Sequence, residues 1–303
     1  MEKRKFGKTD MNVSVLGFGG AEIRSLQPHD PEALKTMDRL LGSALDAGLN
    51  VMDTAECYGN SEELIGLAVA GRRKDYYLFT KCGHAAGMEY DDWDPLLLAE
   101  SIDRSLKRLK TDYVDLIHLH SCSEEILKRG EVIEVLKRAK EAGKTRYIGY
   151  SGENEAALYA IRTGEFDSLQ TSINLADQRG IDLVLPEARD REMGIIAKRP
   201  IANVAWASGS EPPQNEYATE YWRRLRKLDY GFLQEHPQDA VATALRFTLS
   251  MSGVCTAIVG TTNPDRWVQN AKLLEKGPLA PGIIRDIREK WASTAEEDWI
   301  GQI

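Results

Sequence analysis

A chain of 303 residues can bury one large core, and its formal net charge of −8, with Lys and Arg interleaved among 47 acidic residues, leaves no basic stripe for a nucleic-acid backbone. No apolar run approaches the length of a membrane span, and the basic start MEKRKFGKTDMN has no apolar stretch behind it to form a secretory leader. Cys57, Cys82, Cys122 and Cys255 have no paired metal-ligand spacing, so the expectation is a cytoplasmic protein with reduced thiols and without nucleic-acid or membrane partners.

In chain order, RKFGKTDMNVSVLGFG reads as a short N-terminal hairpin leading into a first strand and able to cap the lower mouth of a barrel. Apolar runs of strand length then end near Gly19, Asp53, Lys81, His120, Tyr150, Ser172, Lys198 and Gly260, each followed by helical periodicity. Strands alternating with helices in this way are parallel strands joined by helical crossovers. Residues 31–47 put Leu34, Met37, Leu40, Leu41, Ala44 and Leu45 on one stripe, and 95–109 set Leu98, Ile102, Leu106 and Leu109 against Asp103, Arg104, Lys107 and Arg108. Segments 130–142, 153–163, 181–192, 237–250 and 264–275 behave likewise. Eight units in about 250 residues fit an α/β chain folded as a (β/α)8 TIM barrel better than a doubly wound sheet, and the first turn, LGFGGAEI, lacks GxGxxG. Residues 1–303 are read as a single domain. One segment departs from the beat: 201–236, the long loop after strand 7, carries SGSEPPQNE and the amphipathic YWRRLRKLDYGF. Its length on the catalytic side reads as a functional lid, with linker-like disorder as the alternative.

In such a barrel the reactive groups gather at the C-terminal strand ends. GLNVMD ends at Asp53, YYLFTK at Lys81 and VDLIHLH at His120, and Tyr58 lies just past Asp53. Buried charges need partners, so Asp53 and Lys81 are expected to pair. The ammonium would lower the phenol pKa of Tyr58, Asp53 would hold the ammonium, and His120 would orient a carbonyl oxygen. These are the parts for delivering a proton to oxygen while a hydride reaches carbon. At the eighth strand, IVGTTNPDRWVQN reads as an anion site. Asn263-Pro264 would start a helix with proline first, Thr261 and Thr262 would offer hydroxyls, and the turn would offer unpaired N–H groups. Arg266 in the first turn opposes the helix dipole unless a phosphate answers it; pairing with Asp265 is the alternative.

With these stretches in hand, the chain resembles the aldo-keto reductase family over nearly its whole length. GLNVMDTAECYGNSEELIG looks like the family stretch carrying its catalytic Asp and Tyr, KCG like that carrying its Lys, and TDYVDLIHLH like that carrying its His. The resemblance implies catalytic roles for Asp53, Tyr58, Lys81 and His120, and reduction of aldehydes or ketones with a nicotinamide cofactor, NADP by preference with NAD as the alternative. IGYSG resembles the segment whose Ser-Asn pair holds the carboxamide, which implies Ser151, with Gly152 where asparagine is usual. LQTSIN implies Gln170, and IIAKRPI places Lys198 and Arg199 where relatives have a stacking tyrosine. The first-turn aromatic is missing from GFGGAEI, near Ala21 and Glu22. For the adenosine end the resemblance implies Gly260 (in place of a lysine), Thr261, Thr262, Asn263, Arg266, Gln269 and Asn270. The partner is then a small-molecule carbonyl or alcohol, no resident metal is expected, and a monomer is favoured with an oligomer left open. Two other classes stand beside this reading: a non-turnover nicotinamide-sensing regulatory barrel, and a metal-assisted TIM-barrel hydrolase in which His118 and His120, on one strand face, would be the ligand pair.

Overall fold

The computed structural model describes residues 1–303, the side chain of Glu216 excepted. The chain opens with β1 (Lys3–Lys5) antiparallel to β2 (Asn12–Ser14). Phe6, Met11 and Val13 of this hairpin pack on Val51, Phe79, Leu116, Ile196 and Cys255, side chains of the lower barrel interior. The expected cap is therefore present, and Gly194 makes room for it: a Cβ there would stand 2.3 Å from the Phe6 ring.

Eight parallel strands close the barrel in the order of the chain. They are β3 (Leu16–Gly19), β4 (Val51–Asp53), β5 (Tyr77–Cys82), β6 (Val114–His120), β7 (Thr145–Ser151), β8 (Ser168–Ser172), β9 (Gly194–Lys198) and β10 (Val254–Val259), with β10 returning to pair with β3. Each strand thus ends at or within a residue of the position its apolar run indicated.

The outer helices begin with α1 (Pro31–Asp46), α2 (Ser61–Val69) and α3 (Pro95–Leu109). The starts of α1 and α3 share one device: Asp30 and Asp94 accept hydrogen bonds from the N–H two residues on, and a proline occupies the first helical position. The segment 130–142 is one helix, α5 (Glu131–Glu141), and a separate short helix, α4 (Glu124–Arg129), precedes it; Gly130, with φ +77°, divides the two, a conformation that costs glycine little. After α6 (Asn154–Thr163), the segment 181–192 is not one helix but is divided between α7 (Arg179–Leu183) and α8 (Leu185–Asp190), where Pro186 restarts the helix.

Residues 201–236 are ordered rather than linker-like. They hold a 3-10 turn at Ala202–Ser208, then α9 (Glu216–Leu228), then a second turn at Gly231–Gln234. The buried Arg224 of α9 donates to the carbonyls of Ala176 (3.2 Å) and Ile300 (2.8 Å), which ties the insertion to the C-terminal tail. The barrel then completes with α10 (Pro237–Ser250) and α11 (Arg266–Leu273), and α12 (Pro281–Thr294), unexpected from the sequence, buries Ile287 and Trp291. Among the described residues no helix is long and apolar enough to cross a membrane.

Candidate active site

The upper end of the barrel holds a continuous chain of buried polar contacts. In register Asp53 stands beside Phe79, two residues below Lys81, and the long lysine stem spans that stagger. Its ammonium, 1% exposed, donates to Asp53 Oδ1 at 2.6 Å and to the Thr54 carbonyl at 2.7 Å. Gln170 Nε2 donates to the other Asp53 oxygen at 2.9 Å, and Ser151 Oγ donates to Gln170 Oε1 at 3.0 Å. The expected Asp53–Lys81 pair is thus one segment of a network reaching across to β7 and β8. Burial works against the Lys81 charge, yet the Asp53 carboxylate beside it favours the ammonium, and the lysine lies above its ordinary value.

Tyr58 is placed by a tight turn. Thr54 Oγ1 donates to Ser61 Oγ, Tyr58 N–H bonds the Ala55 carbonyl, and Gly59, at φ +48°, passes so near Arg24 that a Cβ would stand 2.6 Å from its carbonyl. The result sets the half-buried Tyr58 ring over Lys81, with the ammonium 5.0 Å from the ring centroid. The sequence reading had the ammonium lowering the phenol pKa. In the structure burial is the larger influence and raises it, with Lys81 pulling the other way. His120 meets Tyr58 edge-on, ring centroids 5.9 Å apart. Burial, reinforced by Lys81, lowers the His120 imidazole well below its ordinary value, so the ring is neutral. Its Nδ1 is 3.5 Å from Cys57 Sγ. His118 points elsewhere, with Nε2 3.2 Å from Ser168 Oγ and its ring against Phe79.

The candidate cofactor residues divide into committed and open groups. Ser151 and Gln170 are buried and bonded to each other. Lys198 is 3.0 Å from the buried carboxylate of Glu153, which also accepts from Thr171 and Ser172. Arg199 donates to Ser172 Oγ and the Gln302 carbonyl, with its guanidinium 4.0 Å above the Tyr217 ring. The basic pair after β9 is therefore held by the chain's own groups. Gly152 also has a physical reason: a Cβ there would lie 2.5 Å from the Tyr150 hydroxyl, which donates to the Cys122 carbonyl. The Tyr150 ring occupies the space that an asparagine at 152 would need.

The turn after β10 departs from its sequence reading in two respects, and the alternative pairing is not formed. Regular helix begins at Arg266, because Asn263-Pro264 belong to a preceding turn. The N–H groups of Asn263, Asp265 and Arg266 are already bonded, to Thr261 Oγ1, Asn263 Oδ1 and the Asn263 carbonyl respectively. Asp265 pairs with Arg39 at 2.8 Å rather than with Arg266, for which no ion pair exists among the described residues. Thr262, Asn263, Arg266 and Gln269 are exposed, Thr261 is half-buried, and Asn270 is turned inward beside Trp267. Gly260 is dictated by packing, since a Cβ would meet Glu22 Cγ at 2.6 Å and the Gly19 carbonyl at 2.9 Å.

Several participants escaped the sequence reading. Glu153 follows Ser151 as closely as any strand-end acid, and the rule that found Asp53 applies to it equally. His84, Asp92 and Trp93 sit in the loop after β5, where Trp93 Nε1 donates to the His120 carbonyl at 2.8 Å and His84 Nδ1 lies 2.8 Å from Asp92. A histidine and a tryptophan in a polar loop on the catalytic side were the available signal.

Comparison with known proteins agrees with this geometry. The Aldo/keto reductase family matches residues 15–292. The uncharacterized oxidoreductase YqkF of Bacillus subtilis (strain 168) is 30% identical, covering 95% of this chain and 96% of that protein. L-galactose dehydrogenase of Arabidopsis thaliana is 28% identical over 89% of this chain and 87% of its own length. Among solved structures, the holo form of the aldo-keto reductase AKR11C1 from Bacillus halodurans gives a TM-score of 0.82 at 27% identity, with 99% of both chains covered. With the match running from the edge of β3 into α12, over a barrel shared from end to end, the chain belongs to the aldo-keto reductase family and is an oxidoreductase.

Proposed function

We propose that this chain reduces an aldehyde or ketone to the alcohol, with Tyr58 as proton donor and NADPH as cofactor. The observation that carries the reading is the Asp53–Lys81 pair buried beneath Tyr58, with a neutral imidazole at the far edge of the phenol. The raised phenol stays protonated at neutral pH, which suits an acid waiting for an oxygen. As its proton leaves, the Lys81 ammonium stabilises the phenolate, and Asp53, fixed through Gln170, keeps that ammonium charged and in place. The Cys57 thiol is pushed up to about 12 by burial and by Glu56 and stays protonated. Its S–H therefore faces His120 Nδ1 and leaves Nε2–H to donate to the carbonyl oxygen. When bound, the nicotinamide supplies the hydride. In this reading residues 1–303 act as one cytoplasmic domain.

The residues present fit a phosphorylated dinucleotide. Arg266 is an exposed, permanently charged fork without an ion pair among the described residues, beside the Thr261, Thr262 and Asn263 side chains, with Gln269 and Asn270 on the same helix. Ser151 and Gln170 keep one acceptor and one donor valence for the carboxamide, and Lys198 and Arg199 flank the same mouth. Arg266→Ala is expected to weaken NADPH by about 1.5–3 kcal/mol and NADH much less. Titration of both cofactors into both proteins measures this, and equal losses would place Arg266 away from the 2′-phosphate. The function itself is tested by a panel of aldehydes, ketones and alcohols with reduced and oxidised cofactors, followed by the absorbance of the reduced form. The expected result is carbonyl-dependent consumption of NADPH. Saturable cofactor binding without turnover of any compound would favour the sensing barrel.

A further inference from the structure

Three side chains with metal-binding atoms meet at the rim of the proposed active site. One ligand atom each from Cys57, His84 and His120 lies within 4.8 Å of the other two, and all three residues are half-buried, open to an arriving ion. They come from the turn after β4, the loop after β5 and the last residue of β6, so no sequence spacing announces them. Cys57 Sγ is 3.5 Å from His120 Nδ1, and the His84 and His120 rings meet edge-on with centroids 4.9 Å apart.

We propose that Cys57, His84 and His120 form a three-ligand zinc site. With Zn–S near 2.3 Å and Zn–N near 2.0–2.1 Å at tetrahedral angles, sulfur and nitrogen ligands stand about 3.5 Å apart and two nitrogens about 3.4 Å apart. The Cys57–His120 contact already has that separation. Since no pair in the trio is more than 4.8 Å apart, reaching these separations takes at most about 1.4 Å of closure.

The surroundings hold the ligands as a zinc site requires. Asp92 accepts from His84 Nδ1 at 2.8 Å and from the Ala85 N–H at 2.8 Å, which fixes the ring and leaves the Nε2 lone pair for the ion. The His84 N–H bonds Glu56 Oε1 at 3.0 Å, and its ring packs on Trp93, which in turn holds the His120 carbonyl. One thiolate and two imidazoles suit zinc and disfavour magnesium and calcium, which take oxygen ligands. Zinc displaces the thiol proton to solvent as the Zn–S bond forms. The Lys81 ammonium opposes a dication here, and the new thiolate cancels one of its two charges. A fourth position stays open for water, as in zinc sites with three protein ligands. Zinc shares His120 with the proposed carbonyl contact, so occupancy and reduction are coupled through one imidazole, while binding itself does not depend on turnover.

Cobalt(II), the spectroscopic stand-in for zinc, tests the site in the tag-free full chain. One equivalent is expected to give a sulfur-to-cobalt charge-transfer band and the intense visible bands of a four-coordinate ion, both removed by adding zinc. Cys57→Ser should abolish the charge-transfer band. Asp92→Asn, a surface change that leaves all three ligands in place, should weaken cobalt about 10-fold or more, with circular dichroism confirming that both variants are folded. Absence of a one-equivalent complex, the weak spectrum of a six-coordinate ion, or a thiolate band persisting in Cys57→Ser would overturn the proposal.

Discussion

Tyr58→Phe is expected to lower carbonyl reduction by at least about 100-fold while fold and cofactor affinity stay close to wild type. The substitution keeps the ring that covers the Lys81 ammonium and removes only the hydroxyl, so a large loss of rate isolates proton transfer from packing. The pH profile adds a second signature. Burial raises the phenol above its ordinary value, so the wild-type reduction rate should hold level through neutral pH and fall as pH climbs past the raised phenol pKa. In the variant that alkaline limb should be gone. The measurement is kcat against pH for a substrate whose chemical step limits turnover, and wild-type kcat in Tyr58→Phe would remove the residue from the mechanism.

Lys81→Met should be the most damaging single change to both stability and rate. It leaves Asp53, which is 1% exposed, with Gln170 as its remaining side-chain partner. Removing one member of a buried ion pair costs about 3–5 kcal/mol, because the other charge stays behind in the interior. Converting Asp53 to Asn in the same chain removes that stranded charge. The double variant should therefore regain a large part of the lost stability in urea unfolding while remaining as inactive as the single one. Equal destabilisation in single and double variants would show that the pair is not the source of the loss.

The residues that were legible in the sequence share one physical property. An apolar strand that ends in an ionisable group leaves a charge at the barrel mouth, and a buried charge demands a partner; this rule locates Asp53 and Lys81 in the sequence. The rest depends on stagger and depth, which a linear pattern does not carry. Gln170 reaches Asp53 across 117 positions because the strands are offset around a closed barrel. The sign of the Tyr58 shift is set by the extent of burial, which cannot be read from sequence as a neighbouring lysine can. Gly152 looked like a lost asparagine and is the space taken by Tyr150. Around the turn after β10, side-chain oxygens of Thr261 and Asn263 bond the N–H groups that a helix start would leave open. The C-terminal tail was opaque for the same reason: Asn154 donates to the Gly301 carbonyl and accepts from its N–H, while Arg199 holds the Gln302 carbonyl, contacts between distant parts of the chain.

The central claim, hydride delivery to a carbonyl carbon with the proton passing through Tyr58, is tested most directly by isotope transfer. NADPH carrying deuterium on one or the other face of the nicotinamide C4 would be turned over with a reactive aromatic aldehyde, and the alcohol analysed by mass spectrometry and NMR. One deuterium on the carbinol carbon, from one face only, with the hydroxyl proton drawn from solvent, is the predicted result. Alcohol without label, or label delivered equally from both faces, would contradict it.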